Sequence, residues 1–339
     1  MRIAVLADIH ANAQALQAVL EDSLTQGVER YWFLGDAVGY GPEPGIPLLW
    51  LKRHIHADDW VLGNHEAMLG DLLLPQDIAA LAGDVKLIPF KIREQDREGK
   101  PTSKVLYERH HRGELMSLED WEATKLEAVL AIELNRVALA NDREADAYWR
   151  AEFHRHRLTP RVHSLDGVDH VLVHGGQVSN FLRYVYPWQL EFFIPAEFEV
   201  LRQQGREHGR PRVQWYGHTH IPTLIYARPK PQGDGLEYNP VKVLSGQTYP
   251  LDAELMLVNP GSVGQPRDLC PRAAYAVLDT AARTVTFRRV PYEWQETAHL
   301  LKVKDYPDSF VAKLRDAAPP GDTPPEWLEH FRRAREVER

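Results

Sequence analysis

The chain has 339 residues, a formal net charge of -8 and a single cysteine. This length can bury a large core, either as one domain with insertions or as two domains. The acidic balance argues against a general nucleic-acid binder, which would carry a basic surface, and one cysteine excludes an internal disulfide. A mean hydropathy of -0.42 and a first segment typical of a core strand favour a cytoplasmic protein with no signal peptide and no membrane partner.

The first predicted strand ends at two polar side chains. Residues 3–7 form a short apolar run with β-branched members, which is typical of a strand buried on both faces of a parallel sheet. Asp8 and His10 follow it, and alternation along an extended backbone places them on the same side. Ligands bind at the carboxyl ends of strands in open α/β sheets, so this stretch predicts half of a metal site.

The second predicted strand is followed by a carboxylate in the same way. Asn12 is a good N-cap for a helix that the apolar spacing extends to about Gly27. Residues 31–34 then form an apolar strand, and Asp36 lies just beyond its end. Residues 37–47 are rich in Gly and Pro, which predicts a loop along the same edge of the sheet.

A third unit repeats the pattern. Residues 59–62 are a short apolar strand, and Asn64 and His65 follow it. Strand-loop units with intervening helices predict a parallel sheet built by right-handed crossovers.

The middle of the chain has a different periodicity. We interpret residues 67–165 as a helical insertion, or cap, over the ligand edge of the sheet. Within it, residues 68–81 have helical spacing, and the mixed-charge, turn-rich stretch 91–113 predicts a mobile loop. Ser117 with Asp120 three residues later indicates the start of another helix.

Two further strands are followed by histidines. The apolar stretch 168–173 precedes His174, and the stretch 213–216 precedes His218 and His220. The segment between them, residues 178–211, is first aromatic and then polar, and its aromatics can belong to the core or line a cleft.

The last third of the chain predicts antiparallel hairpins and a tail. The strand candidates are residues 223–227, 241–244, 255–258, 274–278 and 284–290, with a long loop over 259–267. We expect one domain over residues 1–302 and a C-terminal tail over residues 303–339, with a Pro-rich linker and a short amphipathic helix.

The polar residues that follow the strands are expected to gather at one edge. They are Asp8, His10, Asp36, Asn64, His65, His174, His218 and His220. Carboxylate, imidazole and amide oxygen together suit Mn²⁺, Fe, Zn²⁺ or Ni²⁺ better than Ca²⁺, which prefers oxygen ligands alone. The set is too large for one tetrahedral zinc, whereas two metals about 3.5–4 Å apart that share a carboxylate and a hydroxide would use all of it.

The order of these motifs resembles that of the calcineurin-like metallophosphoesterases. The matching stretches are Asp8-Ile-His10, Gly35-Asp36, Gly63-Asn64-His65-Glu66, Val173-His174-Gly175 and Gly217-His218-Thr219-His220. The resemblance implies an α/β fold in which a sandwich of two mixed β-sheets is flanked by helices. It also implies a dinuclear metal centre at the strand ends, with Mn²⁺ as the first expectation and Fe, Zn²⁺, Ni²⁺ or Mg²⁺ as alternatives.

The same resemblance implies a role for each residue. It assigns Asp8, His10 and His220 to the first metal, Asn64, His174 and His218 to the second, and Asp36 to the bridge between them. A bridging hydroxide would attack phosphorus in line, and His65, which binds no metal in this scheme, would lie near the phosphate and supply a proton to the leaving alkoxide. Asn64 would contribute a neutral oxygen, and Asp36 would place negative charge on both ions.

The loops favour a phosphodiesterase over a phosphatase. Residues 8–12, 35–42 and 259–267 resemble the small bacterial phosphodiesterase branch, although 67–165 and 178–211 are longer here. Protein Ser/Thr phosphatases have a second Asp and a phosphate-binding Arg after the bridging Asp, where this chain has Gly39 and Tyr40. A phosphomonoesterase or protein phosphatase of the same family remains the alternative, and we interpret Arg267 as an exposed loop residue in preference to a phosphate contact.

Two other functions are compatible with these motifs. One is a catalytically silent scaffold that keeps the fold, as in the retromer subunit that shares it, although such a protein would be expected to lose ligands or His65. The other is a nucleotide-specific hydrolase in which aromatics of residues 181–193 stack on a base. The expected partner is a phosphate ester, either a small molecule or a nucleotide, and a homo-oligomer is compatible with the sequence.

Overall fold

The computed structural model describes residues 1–70, 86–95, 101–111, 114–115, 119–153, 160–178, 184–191, 193–231 and 235–337. The strands are β1 (Arg2–Leu6), β2 (Arg30–Phe33), β3 (Lys86–Gln95), β4 (Pro101–His111), β5 (Glu114–Leu115), β6 (Arg161–Leu165), β7 (Val168–Leu172), β8 (Arg212–Trp215), β9 (Thr223–Pro229), β10 (Leu236–Val241), β11 (Thr248–Pro250), β12 (Leu255–Asn259), β13 (Ala273–Asp279) and β14 (Thr284–Val290). The helices are α1 (Ala13–Thr25), α2 (Gly45–His54), α3 (Asn64–Leu69), α4 (Glu119–Ala140), α5 (Arg143–Phe153), α6 (Phe193–His208), α7 (Trp294–Val303), α8 (Asp308–Asp316) and α9 (Pro325–Val337). Within these ranges, no helix has both the length and the apolar character to cross a membrane.

Two mixed sheets form the centre of the molecule, which confirms the predicted α/β sandwich. The first has the order β11-β14-β13-β1-β2, and the second has the order β10-β9-β12-β8-β7-β6. β1 is parallel to β2 and antiparallel to β13. β8 is parallel to both β7 and β12. The strands that precede the predicted ligands are therefore parallel within each sheet, so their carboxyl ends lie at a common edge.

The central strand β1 is buried on both faces, as its sequence predicts. Ile3 and Val5 belong to the core that includes Trp215 of the second sheet. Ala4 and Leu6 point the other way, into a core shared with α1 and other helices. A strand with apolar contacts on both faces has no polar positions, which explains its continuous apolar run.

The third predicted strand is reduced to a single bridge. Residues Ala57–Asp59 form a 3-10 turn, and Trp60 then makes an isolated parallel bridge with Phe33 of β2. Because α3 already begins at Asn64, few residues are available to extend the pairing. The prediction of a strand over 59–62 was wrong in extent but right about its position beside β2.

The insertion contains strands as well as helices. The loop predicted over 91–113 is wrong, because β3 and β4 form an antiparallel hairpin to which β5 adds a third strand. Ile88, Phe90 and Ile92 recur at every second residue, which is the period of a strand. The charged residues that flank this stretch obscure the pattern. α4 is the helix expected after Ser117, and α5 is a further helix that was not predicted separately. Of the helix predicted over 68–81, α3 covers only the start, and residues 71–81 and Ser117 lie outside the described residues.

The C-terminal third departs from prediction in its strand pairing, its strands and its helices. β12 is antiparallel to β9 but parallel to β8, so the region is not purely antiparallel. β10 ends at Val241, where the sequence predicted a strand to begin, and the short β11 was not predicted. At the end of the insertion, the half-buried edge strand β6 was not predicted either. The tail has α8 in addition to the expected helix, α9, with the Pro-rich stretch between them.

Candidate metal centre

The structure brings all eight predicted site residues together. Donor atoms lie within 4.8 Å of one another in three groups: Asp8 with His10 and His220, His10 with Asp36 and His65, and Asp36 with His174 and His218. Asn64 joins the third group, because its Oδ1 lies 2.9 Å from Nε2 of His174. Except for the partly exposed Asn64, these side chains are at most 4 % exposed.

The loops that carry the ligands have an unusual backbone. Asp8, His10, Asp36, His218 and His220 have φ angles of 54°, 49°, 62°, 65° and 59°, which lie in the left-handed region. Non-glycine residues there cost about 1–3 kcal/mol each and persist only when surrounding contacts impose them. The extended backbone predicted for Asp8 and His10 was therefore wrong, because left-handed turns, not strand alternation, direct both side chains to the site.

Hydrogen bonds fix the tautomers of His10 and His220. Nδ1 of His10 lies 3.1 Å from the carbonyl oxygen of Val38, and Nδ1 of His220 lies 2.5 Å from that of Gln265. A carbonyl oxygen only accepts, so each Nδ1 carries the proton and donates it. Each Nε2 then presents a lone pair, yet the two Nε2 atoms are 3.0 Å apart, with Oδ1 of Asp8 3.5 Å from Nε2 of His220. Three converging lone pairs fit a shared cation.

The second group converges in the same manner. Nδ1 of His174 donates to the carbonyl oxygen of Leu34 at 2.8 Å. Its Nε2 lies 3.2 Å from Nδ1 of His218 and 3.3 Å from Oδ2 of Asp36. Burial alone would lower the pKa of His174, but the facing carboxylate of Asp36 raises it to about 9, so a metal ion bound here would replace the Nε2 proton. Nε2 of His218 is buried and has no hydrogen-bond partner. An imidazole pair, an amide oxygen and a carboxylate facing one point form a donor set suited to a borderline divalent metal.

Asp36 lies between the two groups. Its Oδ2 is 3.3 Å from Nε2 of His174 and 3.8 Å from Nε2 of His10. Burial alone would raise the pKa of Asp36, but the facing imidazoles of His174 and His65 hold it well below its usual range. Burial raises the pKa of Asp8 to about 8, and among the described residues no Lys or Arg nitrogen lies within 4.0 Å of that carboxylate. Two dehydrated carboxylates without such a partner fit a site that binds cations.

A family model described as the calcineurin-like phosphoesterase superfamily domain matches residues 1–283. This chain belongs to that superfamily. Membership implies a phosphoester hydrolase that uses divalent metal ions, and the donor groups described above are the candidate sites for those ions. The family and the two-sheet fold were both predicted from the ordered motifs.

Individual relatives cover most of the chain at low identity. An uncharacterized protein of Methanocaldococcus jannaschii, MJ0912, is 24% identical over 294 residues, which are 86% of this chain and 88% of that protein. A metallophosphoesterase structure from Sphaerobacter thermophilus has a TM-score of 0.61 at 22% identity and covers 94% of this chain and 99% of its own. The hypothetical protein PH1004 from Pyrococcus horikoshii OT3 has a TM-score of 0.57 at 17% identity, with coverage of 94% and 99%. At these identities, the two structures show the same fold.

His65 is buried beside His10 and Asp36. Its ring centre is 4.7 Å from that of His10 and 4.8 Å from that of Tyr40, and its Nδ1 is buried with no hydrogen-bond partner. Oδ1 of Asp36 accepts its backbone N–H at 2.8 Å. A Cβ atom at Gly39 would lie 2.1 Å from Nδ1 of His65. Because Gly39 has no Cβ atom, the imidazole ring of His65 can pack directly against the backbone at this position.

Sequence reasoning missed Glu66, the carboxylate beneath this loop. Its Oε2 accepts the backbone N–H groups of Asp36 at 2.7 Å and of Gly63 at 2.9 Å, and its Oε1 accepts that of Val38 at 3.1 Å. Burial raises the pKa of Glu66 to about 7. The sequence contained a signal for this role, because Glu66 is at the third position of α3 and a Glu there commonly accepts N–H groups at the helix start.

The interpretation of Arg267 as an exposed loop residue was wrong. The residue is partly buried, its backbone N–H donates to the carbonyl oxygen of His220 at 3.3 Å, and its Nη2 donates to Oε1 of Gln265 at 3.2 Å. The segment 259–267 follows β12, whose end lies beside that of β8. The topology therefore carries Arg267 to the metal centre.

Proposed function

We propose that this protein is a metal-dependent phosphodiesterase with a dinuclear centre. The observation that carries the proposal is the position of Asp36, one oxygen of which faces both donor groups at 3.3 and 3.8 Å. In this proposal Asp8, His10 and His220 hold one ion, Asn64, His174 and His218 hold the other, and Asp36 holds both. Mn²⁺ is our first choice for the ions, because imidazole and carboxylate donors both suit it.

The ions would supply a nucleophile at neutral pH and neutralise charge on the phosphoryl oxygens. The chain supplies the rest of the chemistry. Carbonyl oxygens of Val38 and Gln265 hold the rings of His10 and His220, which keeps each Nε2 aimed at the centre. Water is largely excluded, because the donor side chains are buried.

His65 is placed to serve the leaving group. An alkoxide that leaves phosphorus needs a proton, and an imidazole within reach can donate it. Nε2 of His65 lies 4.0 Å from Oδ2 of Asp36, the proposed bridging carboxylate, and this position beside the centre suits that role. His65 is therefore the residue that we assign to proton donation, and it stays outside the metal ligand sets.

A diester is favoured over a monoester by the loop after β2. A monoester dianion carries one more negative charge than a diester, so it is better bound when the loop after the bridging Asp supplies a further cation in addition to Arg267. Position 40 holds a tyrosine that is 6 % exposed. Burial raises its pKa, so it stays neutral. The substrate that we propose is a phosphodiester of a small molecule or nucleotide.

The described aromatics do not support a base-stacking slot. Tyr184 stacks on His218 with ring centres 4.0 Å apart, and Tyr186 stacks on Trp188 at 4.8 Å. Tyr184 and Tyr186 are also stacked on each other at 5.6 Å. Because these faces already contact one another, a nucleobase would have to displace them, so we do not propose nucleotide specificity from this segment.

The test compares bis(p-nitrophenyl) phosphate with p-nitrophenyl phosphate. Protein stripped of metal is supplied with Mn²⁺, Mg²⁺, Ni²⁺ or Zn²⁺ in turn, and bound metal is counted by elemental analysis. We expect metal-dependent hydrolysis with a higher kcat/KM for the diester. His299→Gln replaces an exposed histidine of α7 and is the control for variants in which a histidine of the centre, such as His65 or His220, is replaced. Preference for the monoester would make the protein a phosphatase, and two bound metals without turnover of either ester would support the scaffold alternative.

A further inference from the structure

Arg267 is held beside the metal centre by its own loop. Its backbone N–H donates to the carbonyl oxygen of His220, and its Nη2 donates to the side chain of Gln265. The backbone carbonyl of Gln265 accepts the Nδ1–H of His220. One short segment therefore positions both a proposed metal ligand and a guanidinium.

The guanidinium of Arg267 has no carboxylate partner. Over the described ranges, no Asp or Glu oxygen lies within 4.0 Å of it, whereas Arg289 pairs with Asp268. Its polar neighbours are phenols: Tyr186 shares a hydrogen bond with it, and Tyr40 and Tyr184 act on it electrostatically. Burial raises the pKa of Tyr40 and Tyr186, so these phenols are neutral, and the carboxylate of Asp8 acts on the guanidinium only from beyond 4.0 Å.

The phenols around Arg267 reach both donor groups. The ring centre of Tyr40 lies 4.8 Å from that of His10, and the ring centre of Tyr184 lies 4.0 Å from that of His218. The guanidinium is therefore separated from each donor group by one aromatic ring. A partly buried cation without a counter-ion is costly unless an anion visits it. The anion that a phosphoesterase brings to this place is the phosphoryl group of its substrate.

We propose that Arg267 binds a non-bridging oxygen of the substrate phosphoryl group and retains the phosphate product in the same way. This inference rests on the proposed function and adds a specificity-determining residue to it. Arg is suited to the role because its planar fork of donors matches phosphate oxygens. Position 40, in the loop after β2, holds a neutral phenol, so the guanidinium that serves the phosphoryl group comes from the loop after β12.

The experiment measures phosphate binding separately from turnover. Titration calorimetry with inorganic phosphate is run on Mn²⁺-loaded wild-type protein and on Arg267→Gln, Arg267→Lys and Arg272→Gln. Arg272 is the matched control, because it lies nearby in the chain and does not contact the proposed ligands. Metal content and circular dichroism establish that each variant is loaded and folded.

We expect Arg267→Gln to weaken phosphate binding by about 10–100-fold, the usual loss for hydrogen bonds to a charged group, with metal content unchanged. Arg267→Lys should fall between it and the wild type, since lysine keeps the charge but not the fork, and Arg272→Gln should match the wild type. In diester hydrolysis, the loss should be mainly in KM.

Two results would separate this inference from the proposed function. Equal phosphate affinity and equal kcat/KM in loaded wild type and Arg267→Gln would overturn the inference while leaving a phosphodiesterase intact. Phosphate binding that depends on Arg267 in a protein that hydrolyses no ester would support the inference and refute the proposed activity. Absence of phosphate binding to the loaded wild type would also overturn the inference.

Discussion

The buried carboxylate of Glu66 accepts the backbone N–H of Asp36 at 2.7 Å, so one carboxylate fixes the backbone of another. The same side chain accepts N–H groups from Gly63 and Val38. These bonds connect the loop after β2 to the start of α3, and both segments carry proposed ligands. Glu66 is therefore a positioning residue for the centre, although it does not face the donor groups.

We expect Glu66→Gln to lower metal affinity by about 10–100-fold, the usual cost of losing a residue that orients ligands. Glutamine has one acceptor oxygen where Glu66 uses two, so at least one buried N–H loses its partner. The measurement is a metal titration monitored by calorimetry, with exposed Glu296→Gln as the control. Wild-type affinity in Glu66→Gln would remove Glu66 from this role.

Replacing Asp36 should affect both ions, and replacing His220 should affect one. Oδ2 of Asp36 faces both donor groups, whereas His220 faces only that of Asp8 and His10. We expect Asp36→Asn to bind neither ion firmly and to be inactive, and His220→Ala to keep about one ion per chain. Elemental analysis after gel filtration measures the stoichiometry. Two ions in Asp36→Asn would contradict the bridging assignment.

Replacing His65 should separate binding from chemistry. Since His65 is not among the proposed ligands, His65→Ala should retain two ions, but kcat should fall by about 10²–10⁴ because the leaving group loses its proton donor. The loss should be largest for alkyl leaving groups and smallest for p-nitrophenolate, which needs no proton. A series of diesters with leaving groups of graded pKa measures this dependence. An equal loss across the series would exclude proton donation by His65.

The loop after β2 is held by residues that are distant in sequence. Oδ1 of Asn135, in α4, accepts the N–H of Gly39 at 2.8 Å, and its Nδ2 donates to the carbonyl oxygen of Gly41 at 3.1 Å. The hydroxyl of Tyr306 donates to the same carbonyl at 3.1 Å. We expect Asn135→Ala to destabilise the fold by about 1–3 kcal/mol and to reduce kcat, because it leaves a buried N–H unpaired. Denaturant unfolding and steady-state kinetics measure both effects. Asn141→Ala, at an exposed residue just after α4, should change neither.

The rule that ligands in α/β sheets follow the carboxyl ends of strands explains which site residues were predictable. Asp36 and His174 follow strands with clear apolar runs, so chain order alone places them at one edge. Glu66, Asn135 and Arg267 were missed or misread because their roles depend on contacts between segments that are far apart in the chain. The left-handed backbone at Asp8 was also not predictable, since it is imposed by tertiary contacts such as the hydrogen bond from its N–H to Gly35.

Folding stability should depend on the protonation of His170, away from the metal centre. This side chain is 2 % exposed, and its Nδ1 accepts a hydrogen bond from Nε1 of Trp215 at 3.1 Å, which requires a neutral acceptor. Burial, with a smaller effect of His163, lowers the pKa of His170 from 6.5 to about 4. Between these values the unfolded chain binds a proton that the folded chain excludes, so the stabilising contribution is complete above pH 6.5 and is lost as the pH falls towards 4.

The variant His170→Asn keeps an acceptor near Trp215 but does not titrate. We expect the unfolding free energy of the wild type to fall between pH 7.5 and pH 5 by about 1–2 kcal/mol more than that of the variant. Urea unfolding of metal-free protein at the two pH values gives this difference without the pH dependence of metal binding. Parallel pH dependence in the two proteins would mean that His170 is protonated in the folded state, which would contradict the hydrogen bond that it accepts from Trp215.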